Sequence, residues 1–437
     1  MQKNMIKLLL AAALAGSTAI AQAANSTDVD NSFFPYQAGV PDLGAFKPGD
    51  VINQGNVEQA KEILDEGMYY MIQQGWTEVP IGETTSFKLN DAYIQATREH
   101  AEQVSLGDQP GILNGYVAGR PFPQEPDAGD PRAGEKLAWN YRYSVHFGDS
   151  GMISPFYWKY RDMKSGKVER QMKFEFRALN WKHRTTREPI PDISPNPSEL
   201  FRTIYMGVHE PFDVKNTQLL IHRFEDDLKR DNAWLYLGFQ RRVRRLASGQ
   251  ITDSFLGSDL MIEDFEGYNG RISDMKWTFK GARNILLPFY DHNAMELTDE
   301  FEEQDGYKYI DYHGQGGCFP KITWQLRKVY EVEAVPVDPN HPVGKRVMYM
   351  DAQTATLPRI VIYDRAGKMW KTWFINETHS DNHLPVNKGK DISVYDGFSM
   401  MDLQAMHCTT GQFRTELDPE INLPRTVTPQ ELRAKGG

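Results

Sequence analysis

Beyond residue 135, apolar side chains recur at every second position, and that period limits what the chain can fold into. Tyr141, Tyr143, Val145 and Phe147 alternate with Arg142, Ser144 and His146. Phe156, Trp158 and Tyr160 share one parity, and Met172, Phe174 and Phe176 alternate with Lys173, Glu175 and Arg177. Trp234-Leu235-Tyr236-Leu237 follows, and then Met275, Trp277 and Phe279 stand against Lys276 and Lys280. Val347 and Tyr349, Ile360 and Ile362, and Trp370 and Phe374 close the series. Successive strand residues face opposite sides of a sheet, so this pattern predicts about ten strands bounded by turn formers. Continuous Val/Ile/Leu runs, the mark of parallel strands buried on both faces, are few. The expectation is an antiparallel sheet with one side in water.

A sheet of about ten twisted strands curls, and its apolar face must be covered. The N-terminal part offers the cover. Residues 25–55, rich in Pro, Gly, Asp and Asn, read as an extended arm. Asn56 is placed to cap a helix whose stripe is Val57, Ala60, Leu64, Met68 and Met71, stopped at Gly75. A second helix is predicted from Asn90 through Ala101 to Val104, ending at Gly107. Residues 110–135 are broken by Pro and Gly and read as a long loop. The predicted organisation is therefore 1–23 signal peptide, 24–134 arm, helices and loop, 135–415 antiparallel β domain, and 416–437 polar tail. The fold class is mainly β (α+β), a curved half-barrel sheet covered by N-terminal helices.

The first residues predict location. Lys3 and Lys7 precede an apolar run at 8–15, and Ala21-Gln22-Ala23 offers a small-x-small cleavage site. The run is shorter than the ~20 residues that a membrane span needs. No cysteine near the cleavage site could accept a lipid. The expectation is a soluble periplasmic protein without a lipid anchor. A net charge of −10 argues against nucleic-acid binding, which needs a basic face. The two cysteines, Cys318 and Cys408, are an even count in an oxidising compartment and suggest one disulfide; two unpaired buried thiols are the alternative.

Most candidate chemistry is bland on inspection. Gly148-Asp149-Ser150-Gly151 has a protease-like look, but no base or orienting acid accompanies it, so a turn is expected. His379 and His383 stand four apart, with Ser380, Asp381 and Asn382 between them and Pro385 beyond, which reads as loop rather than a metal-binding helix. Gly314-Gln315-Gly316-Gly317 runs into Pro320 and lacks the helix that a phosphate cradle requires. No metal and no cofactor is expected. Arg241-Arg242-Val243-Arg244-Arg245 lies close in sequence to the acidic stretch from Asp259 to Glu266, so ion pairing between them is expected. The sharper reading makes Arg242, Arg244 and Asp259 a docking or head-group site, since Arg engages carboxylate or phosphate with two hydrogen bonds.

The same segments carry a likeness. Trp234-Leu235-Tyr236-Leu237, Arg241-Arg242-Val243-Arg244-Arg245-Leu246 and Ser254-Phe255-Leu256-Gly257-Ser258-Asp259-Leu260 resemble a signature of the outer-membrane lipoprotein-sorting-like superfamily. Leu357-Pro358-Arg359 and Tyr363-Asp364-Arg365-Ala366-Gly367-Lys368 are similar to its later strand–turn–strand. Ala118-Gly119-Arg120-Pro121-Phe122-Pro123, Ala138-Trp139-Asn140 and Met401-Asp402-Leu403-Gln404-Ala405 resemble the family called domain of unknown function 1329. The resemblance implies a half-barrel closed by helices in a Gram-negative envelope. It also implies a carrier of lipid or another hydrophobic molecule, working with an inner-membrane exporter or outer-membrane protein, and it supplies no catalytic residues. The candidate lining residues are Tyr141, Tyr143, Phe174, Phe176, Trp234, Tyr236, Trp277 and Phe279. The alternatives are an envelope scaffold with a filled core, and a hydrolase using carboxylates or His146.

Overall fold

The computed structural model describes residues 25–247 and 251–435. The predicted signal peptide and its predicted cleavage site lie outside the described residues.

A 14-stranded sheet dominates. All of its strands but Phe289–Tyr290 form one antiparallel path. In chain order these are β1 (Ser150–Asp162), β2 (Val168–Asn180), β3 (Leu200–Glu210), β4 (Gln218–Phe224), β5 (Asn232–Leu237), β6 (Arg242–Arg245) and β7 (Met275–Leu287). There follow β8 (Gln325–Pro336), β9 (Val343–Asp351), β10 (Arg359–Asp364), β11 (Met369–His379), β12 (Ser393–Asp402) and β13 (His407–Leu417). Their order in space is β6-β5-β4-β3-β2-β1-β13-β12-β11-β10-β9-β8-β7. Two meanders thus meet at the β1–β13 seam, where His407 to Leu417 pair with Asp162 to Gly151. The two ends of the path, β6 and β7, are consecutive in sequence. Residues 246–274, which join them, therefore have to cross from one edge of the sheet to the other.

Helices form where caps and apolar spacing agree. Asn25 and Asp28 make a reciprocal capping box at α1 (Ser26–Phe33), inside the stretch read as an extended arm. The helix predicted from Asn56 is broken in two. Val57–Ile63 is a 3-10 turn, and α2 (Glu66–Gln73) starts afresh because Asp65 Oδ1 accepts the amides of Gly67 and Met68. Asn90 caps α3 (Asp91–His100) as expected, followed by a 3-10 turn over Ala101–Gln103.

The reading of Tyr141 and Tyr143 as strand residues is corrected. They fall on and just after α4 (Ala133–Arg142), which runs across residue 135. Ala133, Glu135, Lys136, Leu137 and Ala138 favour helix, and this local preference outweighs the short alternation after it. Gly134 lets α4 lie close on β7; a Cβ there would stand 2.7 Å from the Thr278 amide nitrogen.

The expectation of a sheet with one wet face is also corrected, since much of the sheet is buried on both sides. One face gathers Phe156, Trp158, Phe174, Met348, Ile360 and Trp373 in the largest core cluster, together with α4 and residues from 255–272. The N-terminal helices pack on the other face: Val29, Phe33, Tyr93 and Ile94 meet Val347, Tyr349 and Val361. They do not cover the aromatic face, as predicted, but its reverse. Polar residues on strands misled the reading because they are buried in pairs. Arg359 Nη2 lies 2.6 Å from Asp65 Oδ1, and Arg327 Nε lies 2.6 Å from Asp351 Oδ2, with all four side chains inaccessible.

Cys318 and Cys408 form a disulfide that ties the loop before β8 to β13 across 90 residues. The C-terminal segment read as a polar tail docks on the sheet: Val427 and Leu432 bury against Tyr205 and Leu220, and Gln218 Nε2 donates to the Leu432 carbonyl at 3.0 Å. Among the described residues, no helix is long and apolar enough to cross a membrane.

Candidate functional site

The seam of the two meanders carries a small apolar cavity of about 40 Å³. Its floor is strand residues of alternating parity: Phe156 and Trp158 from β1, Phe176 from β2, Trp373 from β11, Phe398 from β12 and Phe413 from β13. Its roof is the 246–274 connection, through Leu260, Phe265 and Glu266. The described residues of this cover include short 3-10 turns at Phe255–Gly257, Ile262–Asp264 and Ile272–Asp274, and a bridge links Ser254 to Met261. It buries Phe255, Leu260, Met261, Ile262, Phe265 and Tyr268.

The acidic stretch fastens this cover. Asp259 Oδ2 lies 2.8 Å from His407 Nδ1 and accepts from Thr409 Oγ1 at 2.7 Å. Arg346 donates to Asp264 Oδ1 at 2.6 Å and to Glu263 Oε2 at 2.8 Å. Arg202 Nη2 donates to Glu266 Oε1 at 2.7 Å. The expected pairing with the arginine run is thus corrected. Arg242 and Arg244 are exposed on the edge strand β6, and Arg244 donates to Gln240. Asp259 is buried over β13, away from them. Sequence proximity misled because β6 ends at a sheet edge, whereas the acidic stretch crosses the inner face. Exposed charge on an edge strand also resists pairing with other strands.

Glu266 is the charged residue in the cavity wall. Burial alone pushes its carboxyl up, but the Arg202 guanidinium and the His146 ring outweigh that and hold it at about 2. His146 Nε2 stands 3.5 Å from Glu266 Oε1, beyond a normal hydrogen bond. Burial pushes the His146 ring down, and the nearby Glu266 carboxylate opposes that shift. Ser144 Oγ lies 2.7 Å from His146 Nδ1, and it also donates to the Tyr141 carbonyl at 2.8 Å. Ser144 Oγ thus stands between the ring nitrogen and a backbone carbonyl.

The predicted lining residues scatter. Phe176 reaches the cavity. Phe174 is buried beside it against Phe156 and Trp158. Tyr141 stays outside the lining and donates from its hydroxyl to the Glu266 carbonyl at 2.8 Å. Tyr143 stacks on Tyr116 in a neighbouring polar pocket. Trp277 donates to the Ile272 carbonyl at 2.8 Å, and Phe279 packs on Tyr330. Trp234 and Tyr236 face the other side of the sheet, with Val427 and Leu432. The main omissions are Trp158, Trp373, Phe398 and Phe413. The parity of Phe156 and Trp158 marked the first; on β11 the sequence reading followed Trp370 and Phe374, of the parity opposite to Trp373, and β12 and β13 carry too little alternation to single out Phe398 and Phe413.

A second buried cluster joins distant histidines. Asp396 accepts from His292 Nδ1 at 2.6 Å and Tyr290 at 2.7 Å, and lies 3.2 Å from His383 Nε2. Burial opposes its ionisation, but His292 and His383 outweigh that and hold it well below the usual carboxylate range. Its oxygens are occupied by these neighbours, and the cluster reads as a structural tie that joins β12 to the loop before it and to the segment that follows β7.

Comparison with known proteins gives a family and no activity. A putative outer membrane lipoprotein-sorting protein domain from Vibrio parahaemolyticus aligns at 15% identity over 70% of this chain and 100% of its own, with a TM-score of 0.47. A DUF1329 family protein from Desulfovibrio piger aligns at 15% identity over 68% of this chain and 100% of its own, TM-score 0.44. A LolA superfamily protein from Nitrosomonas europaea aligns at 12% identity over 68% of this chain and 98% of its own, TM-score 0.39. No curated protein matches. The family model for proteins of unknown function called DUF1329 matches residues 51–433, and the chain belongs to that family.

Proposed function

We propose that this protein is a periplasmic carrier of a hydrophobic ligand, bound on the aromatic face of the sheet beneath the 246–274 cover. The observation that carries the reading is the roof. The face that carries the largest apolar cluster is closed by a connection whose described residues form short turns. Lifting such a segment breaks no strand ladder of the sheet, although it parts the pairs that Arg346 and Arg202 make with Glu263, Asp264 and Glu266. Carriage would work by desolvation. A chain burying about a dozen methylenes contributes on the order of 10 kcal/mol, the scale of several of the apolar side chains the cover buries.

The cavity sets a condition on this proposal. An apolar cavity of about 150 Å³ accommodates a benzene ring, and the space here is about 40 Å³. The closed state admits a small group and no acyl chain, so uptake requires displacement of the cover. That volume is also the observation favouring the second reading, an envelope scaffold with a filled core that acts by surface contacts. In the carrier reading, an inner-membrane exporter or outer-membrane protein exchanges ligand with it, and the exposed β6 edge with Arg242 and Arg244 is a candidate docking place. Native mass spectrometry after mild purification, followed by solvent extraction, tests the choice. A co-purifying apolar molecule, or uptake of added N-phenyl-1-naphthylamine, is expected. A clean apo mass with no uptake of the dye overturns the carrier and leaves the scaffold.

A further inference from the structure

The cavity is lined by apolar side chains together with Glu266, Tyr395 and two tryptophans, Trp158 and Trp373. Trp158 and Trp373 are 1% and 3% exposed, and their Nε1–H groups find no acceptor among the described residues. Three other tryptophans are satisfied: Trp181 by Thr203, Trp277 by the Ile272 carbonyl and Trp370 by Asp402. A further unpartnered indole, Trp139, lies on α4 outside the lining. The two cavity tryptophans flank one ring. Phe398 stacks on Trp373 at 5.1 Å and meets Trp158 edge-on at 5.5 Å. Gly411, paired with both Trp158 and Phe398 across β13, leaves room for this; a Cβ there would fall 2.1 Å from the Phe398 ring.

A buried donor left without an acceptor is costly, and phenylalanine would fill the same wall without that cost. Resting on the carrier reading, we infer that the ligand is an apolar molecule bearing an uncharged oxygen acceptor (a ketone, ester or hydroxyl) that takes hydrogen bonds from Trp158 and Trp373. A bare hydrocarbon leaves both donors orphaned. A free carboxylate would face the ionised Glu266 side chain in the same wall.

The test uses the mature full-length chain and three probes of equal length: 2-octanone, octane and octanoate, each displacing N-phenyl-1-naphthylamine. Affinities are compared as the ratio of Trp373→Phe or Trp158→Phe to wild type, so that each probe's aqueous solubility cancels. A lost hydrogen bond should raise the Kd for 2-octanone about fivefold while leaving octane within about twofold. In parallel, ¹⁵N-labelled indole signals of the unaltered protein should move with 2-octanone and stay still with octane and octanoate. This arm holds even if a variant folds poorly. Equal ratios for ketone and alkane, with indole signals unmoved by ketone, mean that the donors serve water alone. That result overturns the inference and leaves the carrier standing. Indole shifts with octanoate matching those with ketone overturn the restriction to uncharged ligands. If the dye does not bind the unaltered protein at all, the carrier reading fails and takes this inference with it.

Discussion

Glu377, on β11, is a buried carboxyl without a cation of its own. Ser393 Oγ donates to its Oε2 at 2.6 Å, and the Thr356 hydroxyl also favours its ionised form. The nearby Arg327 is committed to Asp351 through two hydrogen bonds. Burial therefore dominates and pushes the carboxyl up to about 8. In the folded chain the group keeps its proton across the range where the unfolded chain has lost it. The folded state then binds more protons, and stability falls as pH rises from about 4.5 to about 8. At about 1.4 kcal/mol per tenfold change in proton affinity, the loss between pH 5 and pH 8.5 is roughly 4 kcal/mol. Glu377→Gln keeps the shape and the acceptor for Ser393 but removes the titration. Urea unfolding followed by tryptophan fluorescence, at steps from pH 5 to pH 8.5, measures both proteins. Groups common to both cancel in the difference, so the variant should gain on the wild type by roughly 4 kcal/mol across that window. A difference constant to within about 0.5 kcal/mol would refute the reasoning, because it would mean that Glu377 is ionised in the fold and paired.

Asp65 caps α2 and pairs with Arg359, so Asp65→Ala leaves a buried guanidinium unpaired and should cost about 3–5 kcal/mol in urea unfolding. Replacing Cys318 and Cys408 together by alanine should cost roughly 4 kcal/mol, the chain entropy of a loop of that length; an unchanged midpoint would show that the cross-link does not constrain the unfolded chain. Arg242→Ala with Arg244→Ala should leave stability within about 0.5 kcal/mol, since both side chains are exposed; a larger loss would point to a contact that holds the β6 edge. Amide exchange at Leu260 and Phe265 should be faster than in β11 to β13. Exchange of the cover only with global unfolding would close the entry route that carriage requires.

Period-two alternation and turn formers were enough to predict a large antiparallel sheet, and Asn90 was enough to predict where α3 starts. These signals are local: one residue's neighbours in sequence are its neighbours on the same element. Local signals failed where long-range partners decided. Asp65 breaks the first predicted helix because it serves both the α2 amides and Arg359, which lies 294 residues away. Tyr141 and Tyr143 alternated like strand residues but belong to a helix and its cap pressed onto β7. Arg346, Arg359 and Asp351 are strand charges that are nevertheless inaccessible, because each is neutralised by a residue from another element.

By itself, then, the sequence determined the element type over most of the sheet, the two cysteines available for pairing and the signature by which the family is known. Only the tertiary structure decided that β6 and β7 are opposite ends of the path, so that the connection between them lies across the aromatic face. Strand order is a matter of which edges meet after folding, and no periodicity records it. That crossing determines which of the many aromatic residues line a cavity and which are ordinary core.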